Sequence, residues 1–174
     1  MSVEIRENTQ RQEQYWNRMT QFKFDLNYFS YEFKHCVKCQ RWIKGGFLFL
    51  TALFTGAWTT WGEMEAVKWV CSIAIFILQA VNSISEIFPY ETRKGELREM
   101  SSLLEPIYDD MEADWFQVSA ADLDDDEITA KILAYSKKIR SIKRHYFKDD
   151  AIPDNKKIKA KAKEETDLYF QTRF

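Results

Sequence analysis

Apolar positions recur along this chain with a helical period. Tyr15, Met19, Phe22, Leu26, Phe29, Phe33 and Cys36 follow one another at intervals alternating between four and three, with charged residues between them. That spacing predicts a long amphipathic helix carrying a single core-facing seam. Leu97, Met100, Leu104, Ile107, Met111 and Trp115 set up a second seam, and Pro106 inside it is expected to kink or divide the helix. After a loop around 119–126, Ile128, Ile132, Tyr135, Ile139, Ile142 and Tyr146 form a third. Three such segments can bury one another's stripes. Beyond Pro153, KKIKAKAKEET followed by DLYFQTRF predicts a short helix with frayed ends.

Between the first two seams the pattern changes. Residues 45–62 read GGFLFLTALFTGAWTTWG, 18 positions without a charge, and 69–85 read WVCSIAIFILQAVNSIS, another 17. At helical rise each run covers about 25 to 27 Å, just under a ~30 Å hydrocarbon core, a shortfall that snorkelling or local thinning accommodates. Trp42 and Lys44 precede the first run, and Trp58, Trp61 and Trp69 gather around the intervening segment, where indole suits the headgroup level. Lys34, Lys38, Arg41 and Lys44 before the pair, with Arg93, Lys94 and Arg98 after it, outnumber Lys68 between the runs by seven to one. That bias predicts a two-helix transmembrane hairpin with both termini cytoplasmic and the 63–68 loop exported. A helical hairpin buried in a soluble bundle is the competing reading, because it too is uncharged and of this length. The expected organisation is all-α: a cytoplasmic amphipathic helix over 1–41, the hairpin over 42–88, which Pro89 ends, and a helical cytoplasmic domain over 89–174.

Polar residues inside the apolar runs bear on what the hairpin does. Thr51, Thr55 and Thr59 recur every fourth residue, beside the small pair Ala52 and Gly56. Ser72, Gln79, Asn82, Ser83 and Glu86 fall in one broad sector of the second run. Polar groups facing lipid are costly, so these residues are expected to pack against other helices or to line a pore. Two helices enclose no water path, and a pore therefore requires several copies of the chain.

Charge and composition narrow the remaining choices. Five glycines and three prolines are few for a sandwich or barrel, and 45% apolar content excludes wholesale disorder. The 30 residues at the start are charged, so no cleaved signal peptide is expected. Three cysteines, Cys36, Cys39 and Cys71, fit a reducing compartment or lipid burial better than a disulfide framework. Cys36 and Cys39 form a lone C-x-x-C beside His35, and a zinc site there would need ligands from other chains or distant residues, so no metal is expected. Without a nucleophile motif, phosphate loop or EF-hand loop, neither enzymatic activity nor a cofactor is expected.

The net charge of −2 conceals segregation: residues 99–127 hold 11 acids and no base, and 131–148 hold seven bases and no acid. Asp124, Asp125, Asp126 and Glu127 suit the positive end of a helix dipole, and the bases suit its far end. The two runs pair within or between subunits, or the basic run attracts anionic lipid headgroups, or it binds a phosphate-rich ligand. For that last reading Lys137, Lys138, Arg140, Lys143 and Arg144 supply charge, with Tyr135 nearby to stack on a base.

A cytoplasmic helix, the hairpin RWIKGGFLFLTALFTGAW with WVCSIAIFILQAVNSISEIF, and a helical tail together resemble the SLATT-type two-transmembrane effectors of bacterial nucleotide-signalling anti-phage defence. The likeness is one of layout and covers nearly the whole chain. It implies a homo-oligomer in the bacterial inner membrane, working beside a nucleotidyltransferase-like enzyme. On that pattern a nucleotide or oligonucleotide signal controls the effector, which forms a pore or depolarises the membrane. The rival reading is a membrane-anchored scaffold that recruits a partner protein through its helical seams.

Overall fold

The computed structural model describes residues 2–61, 64–87, 90–147 and 155–174, without the side chains of 2–9, 54, 56–61, 67, 78, 81–87 and 90–91. The described chain is all-helical, with α1 at Ser2–Trp61, α2 at Glu65–Ile87, α3 at Tyr90–Ser119, α4 at Asp125–Tyr146 and α5 at Lys156–Arg173. It divides into two compact units, one comprising Met1–Phe33 with Glu96–Phe174, the other Lys34–Gly95. The N-terminal seam thus belongs with the C-terminal helices. Among the described residues no helix is long and apolar enough to cross a membrane.

In the first unit the seams read from sequence become the core. Tyr15, Met19, Phe22, Leu26 and Phe29 of α1, Leu97, Met100, Leu104 and Met111 of α3, and Ile128 of α4 are all buried. Ile132, Tyr135, Ile139, Ile142 and Tyr146 are half-buried, so α4 lies across the core with its opposite face in solvent. Tyr15 crosses from α1 to α3: its hydroxyl donates to the Met111 carbonyl at 2.9 Å, and its ring stacks on Trp115 at 6.1 Å between centroids. Burial raises the pKa of that hydroxyl well above the ordinary tyrosine value.

Of the two expectations for Pro106, division is not what the structure has, since α3 runs through it from Tyr90 to Ser119. Pro106 and Ser102 are exposed, so the Ser102 carbonyl deprived of its usual N–H partner can turn to water. The C-terminal segment is not short and frayed either, because α5 is an 18-residue helix that takes in most of DLYFQTRF. Its aromatic end is held by packing: Phe170 and Phe174 meet the Trp16 ring edge-on at 5.0 and 5.3 Å, and Phe174 also meets Phe116 at 6.1 Å. Ile158, Ala162 and Thr166 bury the stripe behind it, and Thr166 accepts a 2.9 Å hydrogen bond from Asn27.

The α3–α4 turn is built from local chemistry. Asp122 N–H reaches back to the Gln117 carbonyl and Ala121 N–H to that of Val118, a Schellman closure that places Ala121 at φ 58°. Asp124 then caps α4, accepting from Glu127 N–H at 2.7 Å while its own N–H donates to the Glu127 carboxylate at 3.1 Å. Alanine is strained in the left-handed region, whereas glycine is not. Ala121→Gly is therefore expected to stabilise the unit by roughly 1 kcal/mol, read as a higher thermal midpoint with unchanged helix content.

In the second unit α1 continues without a break through Gly45 and Gly46, and the chain returns through α2. Lys94 Nζ donates to Gln40 Oε1 at 2.9 Å, closing the base of this out-and-back arrangement. Pro89 lies outside the described residues; α2 ends at Ile87 and α3 begins at Tyr90 on either side of it. Cys71 and Ala74, one turn apart, are the buried face of α2.

Candidate functional site

The first candidate is the outer surface of the second unit. Of the 17 exposed large apolar side chains among the described residues, 12 lie between Trp42 and Ile77. On α1 they include Trp42, Phe47, Leu48, Phe49 and Leu53, and on α2 Trp69, Val70, Ile73, Ile75, Phe76 and Ile77. With Cys71 and Ala74 buried, α2 is apolar over most of its described circumference, and exposed Lys68, Ser72 and Gln79 mark one narrow polar strip along it. Such a surface exceeds what monomers ordinarily leave in water.

The hydroxyls within it have partners on their own helices. Thr51 donates its hydroxyl to the Phe47 carbonyl at 2.8 Å, Thr55 to that of Thr51 at 2.9 Å, and Ser72 to that of Lys68 at 2.9 Å. Each bond runs back one turn on the same helix. These hydroxyls therefore need neither another helix nor water, and they can face hydrocarbon at little cost. Gln79 is exposed on α2. The side chains of Thr59, Asn82, Ser83 and Glu86 lie outside the described residues.

Where the charged flank meets this apolar surface, α1 carries a groove of about 370 Å³ lined by Arg41, Trp42, Gly45, Gly46 and Phe49. A Cβ built on Gly45 or Gly46 would meet nothing within 4 Å. Each glycine in a helix interior costs roughly 0.5–1 kcal/mol relative to alanine, and no close approach among the described residues requires either one.

The second candidate is the basic face of α4, in the first unit. Lys137, Lys138, Arg140 and Arg144 are exposed, and Leu133, Lys137, Arg140 and Arg144 fall on one stripe by their spacing of four, three and four. Tyr135 and Lys143 are instead tied inward. Tyr135 donates to Asp114 Oδ2 at 2.7 Å, the oxygen that Lys131 also meets at 2.8 Å, and burial with that bond raises the pKa of its hydroxyl. Lys143 pairs with Asp25 on α1. The opposed charge runs are thus partly spent on each other: Asp114 from the acidic run meets Lys131 and Tyr135 at the edge of the basic one.

Sequence reasoning missed a polar cluster among α1, α3 and α5. Glu112 is buried, accepts from the Tyr169 hydroxyl and pairs with Arg173 Nε at 2.9 Å. The Lys23 ammonium sits 4.0 Å from the Tyr169 ring centre and 4.4 Å from that of Tyr108, and burial lowers its pKa. The signal was present in one respect: Glu112 adjoins the Met111 seam position on α3. Near the other unit's start, Cys36 is buried as its seam position implies, while Cys39 Sγ lies 3.8 Å from His35 Nε2. Among the described residues no three His, Cys, Asp or Glu side chains group to hold a metal ion.

Compared with protein-family models, with curated proteins and with solved structures, the chain matches none of them.

Proposed function

We propose that this chain is an oligomeric membrane effector whose 34–95 unit enters the bilayer and whose other unit receives a phosphate-rich signal. The observation that carries the reading is the broad exposed apolar face of α2. In water a lone chain exposes Trp69, Val70, Ile73, Ile75, Phe76 and Ile77 together, at a transfer cost of about 25 cal/mol for each Å². Lipid removes that cost, and the self-satisfied hydroxyls of Thr51, Thr55 and Ser72 fit the same environment. The charge-free runs of 18 and 17 residues are short for a bilayer, which favours assembly of several copies with local thinning over solitary insertion.

The seven-to-one bias of basic residues in the flanks supports a topology with both termini in the cytoplasm of a bacterial cell. A ring of hairpins encloses a water path, with Gln79 and Asn82 as its polar lining, and its opening dissipates ion gradients in the manner the family resemblance implies. On the cytoplasmic side Lys137, Lys138, Arg140 and Arg144 meet a nucleotide or oligonucleotide made by a nucleotidyltransferase-like partner. That ligand acts only if it binds resting and open assemblies with different affinity.

Reconstitution into vesicles tests this directly. The full chain should float with the vesicles, resist carbonate extraction and release a trapped dye steeply with protein-to-lipid ratio. Gln79→Leu with Asn82→Leu should float equally and release dye about tenfold more slowly. Recovery of the native chain in the aqueous fraction sinks the membrane reading. Flotation without release sinks the pore and leaves an anchored scaffold.

A further inference from the structure

We propose that the outward face of α4 is a contact between two copies of this chain, laid antiparallel about a two-fold axis beside Leu133. The inference rests on the oligomeric part of the reading above, does not need the bilayer, and goes further by naming the surface and its register.

Helix α4 carries a second stripe opposite the one it buries. Asp126, Ala130, Leu133, Lys137, Arg140 and Arg144 follow one another at intervals of four, three, four, three and four, and all are exposed, Leu133 at 64%. Among the described residues none of the four charged members forms an ion pair or a side-chain hydrogen bond. The stripe is ordered along its length. It opens acidic at Asp126, with Asp122, Asp124 and Glu127 exposed beside it, passes over Ala130, Leu133 and Ala134, and closes basic at Lys137, Arg140 and Arg144. Asp126 and Arg140 each stand seven residues from Leu133, about 10 Å along the axis in opposite directions.

That order selects the occupant and its direction. A second α4 laid antiparallel across Leu133 brings the acids of each copy to the bases of the other, with Asp126 opposite Arg140 on both sides of the axis. A parallel copy sets like charge on like, and a partner of a single charge sign satisfies only one end. The exposed leucine packs on its own counterpart, and the alanines beside it let the backbones approach while the stem of Lys137 lies over them. Within one chain Asp126 and Arg140 are about 21 Å apart along the helix and cannot meet each other. One helix face is a small contact, of the kind that forms transiently. It is also the face that the reading above gives to a phosphate-rich ligand. A polyanion at Lys137, Arg140 and Arg144 competes with the acids of the other copy, so it binds separated copies more tightly than paired ones, which is the difference in affinity a switch requires.

Disulfide crosslinking of the full chain tests the contact, with the native chain as background for its free Cys36, Cys39 and Cys71. Leu133→Cys should give a dimer on mild oxidation. Asp126→Cys and Arg140→Cys should each give little alone and a dimer when mixed, because the register sets one opposite the other. Added to Leu133→Cys, either Arg140→Asp or Asp126→Arg should lower the dimer yield about tenfold by setting like charges together, and both at once should restore it. Self-crosslinking of Asp126→Cys as strong as that of Leu133→Cys overturns the proposal, as does a double reversal that fails to recover. Inorganic polyphosphate at constant ionic strength should suppress the Leu133→Cys dimer. Its persistence overturns the competition and removes the phosphate site from this face. A native chain that sediments as an oligomer while Leu133→Cys gives no dimer refutes this contact alone. A native chain that sediments as a monomer at every concentration refutes the oligomeric reading and the contact with it.

Discussion

Lysines in place of Ile73 and Phe76 should, on the membrane reading proposed above, release the chain from membranes while leaving it folded. Both side chains are exposed, Ile73 at 57% and Phe76 at 72%, so in water the exchange removes little packing and should shift stability by no more than about 0.5 kcal/mol. At the centre of a bilayer each lysine costs about 2.5–3.5 kcal/mol. Residues 73 and 76 lie near the middle of the 69–85 run, so the pair should cost about 5–7 kcal/mol, a loss of roughly four orders of magnitude in partition. The contrast between these two magnitudes makes the experiment decisive. The expected result is a variant that moves from the carbonate-resistant pellet to the supernatant with unchanged helical circular dichroism. Retention in the pellet would mean that this face of α2 does not contact lipid. Loss of helicity along with extraction would mean that the face packs within the protein.

How far the sequence foretold this arrangement depends on the kind of interaction involved. A seam of apolar residues at helical spacing is a one-dimensional signal: most of its positions on α1 and α3 are buried, with Phe33, Ile107 and Trp115 half-buried, but it passed over the buried Tyr28, Glu32, Tyr108, Glu112 and Val118. The acids that open α4 were visible as partners of its dipole, and the structure adds that Asp124 and Glu127 close a capping box over backbone groups three residues away. Long-range pairings were not legible. Nothing in the spacing of DLYFQTRF says that Trp16, some 150 residues earlier, offers it an aromatic surface, nor that Glu112 awaits Tyr169 and Arg173. Lys143 and Tyr135 looked available for a ligand because charge and aromaticity are read residue by residue. Their partners Asp25 and Asp114 come from α1 and α3, and only the folded chain brings them together. The bonds of the Thr51 and Thr55 hydroxyls are local, since a carbonyl one turn back is an acceptor that every helix offers.

Tyr15→Ala should be the most damaging single substitution in the first unit. Tyr15 is fully buried, and truncating a buried ring of this size costs about 3–5 kcal/mol, combining lost transfer energy with the cavity left behind. Its neighbours cannot close that cavity readily, because Trp115 is already engaged with Trp16 at 4.9 Å between centroids and Met19 and Met111 are themselves buried. Tyr15→Phe keeps the ring and loses only the 2.9 Å bond to the Met111 carbonyl. It should cost about 1 kcal/mol. Hydrogen exchange of peptides spanning 104–118 provides the readout in the full-length protein. Protection there should fall by two to three orders of magnitude in the alanine variant and by about tenfold or less in the phenylalanine variant. Exchange in the 69–77 peptides should stay as in the native protein, since Tyr15 belongs to the other compact unit. Equal protection in both variants would show that the ring contributes nothing beyond its hydroxyl, and the α1–α3 seam would then not be the core of this unit. Parallel loss in 69–77 would show that the two units unfold as one. In that case the signal proposed to arrive at α4 would act on the 34–95 unit through global stability alone.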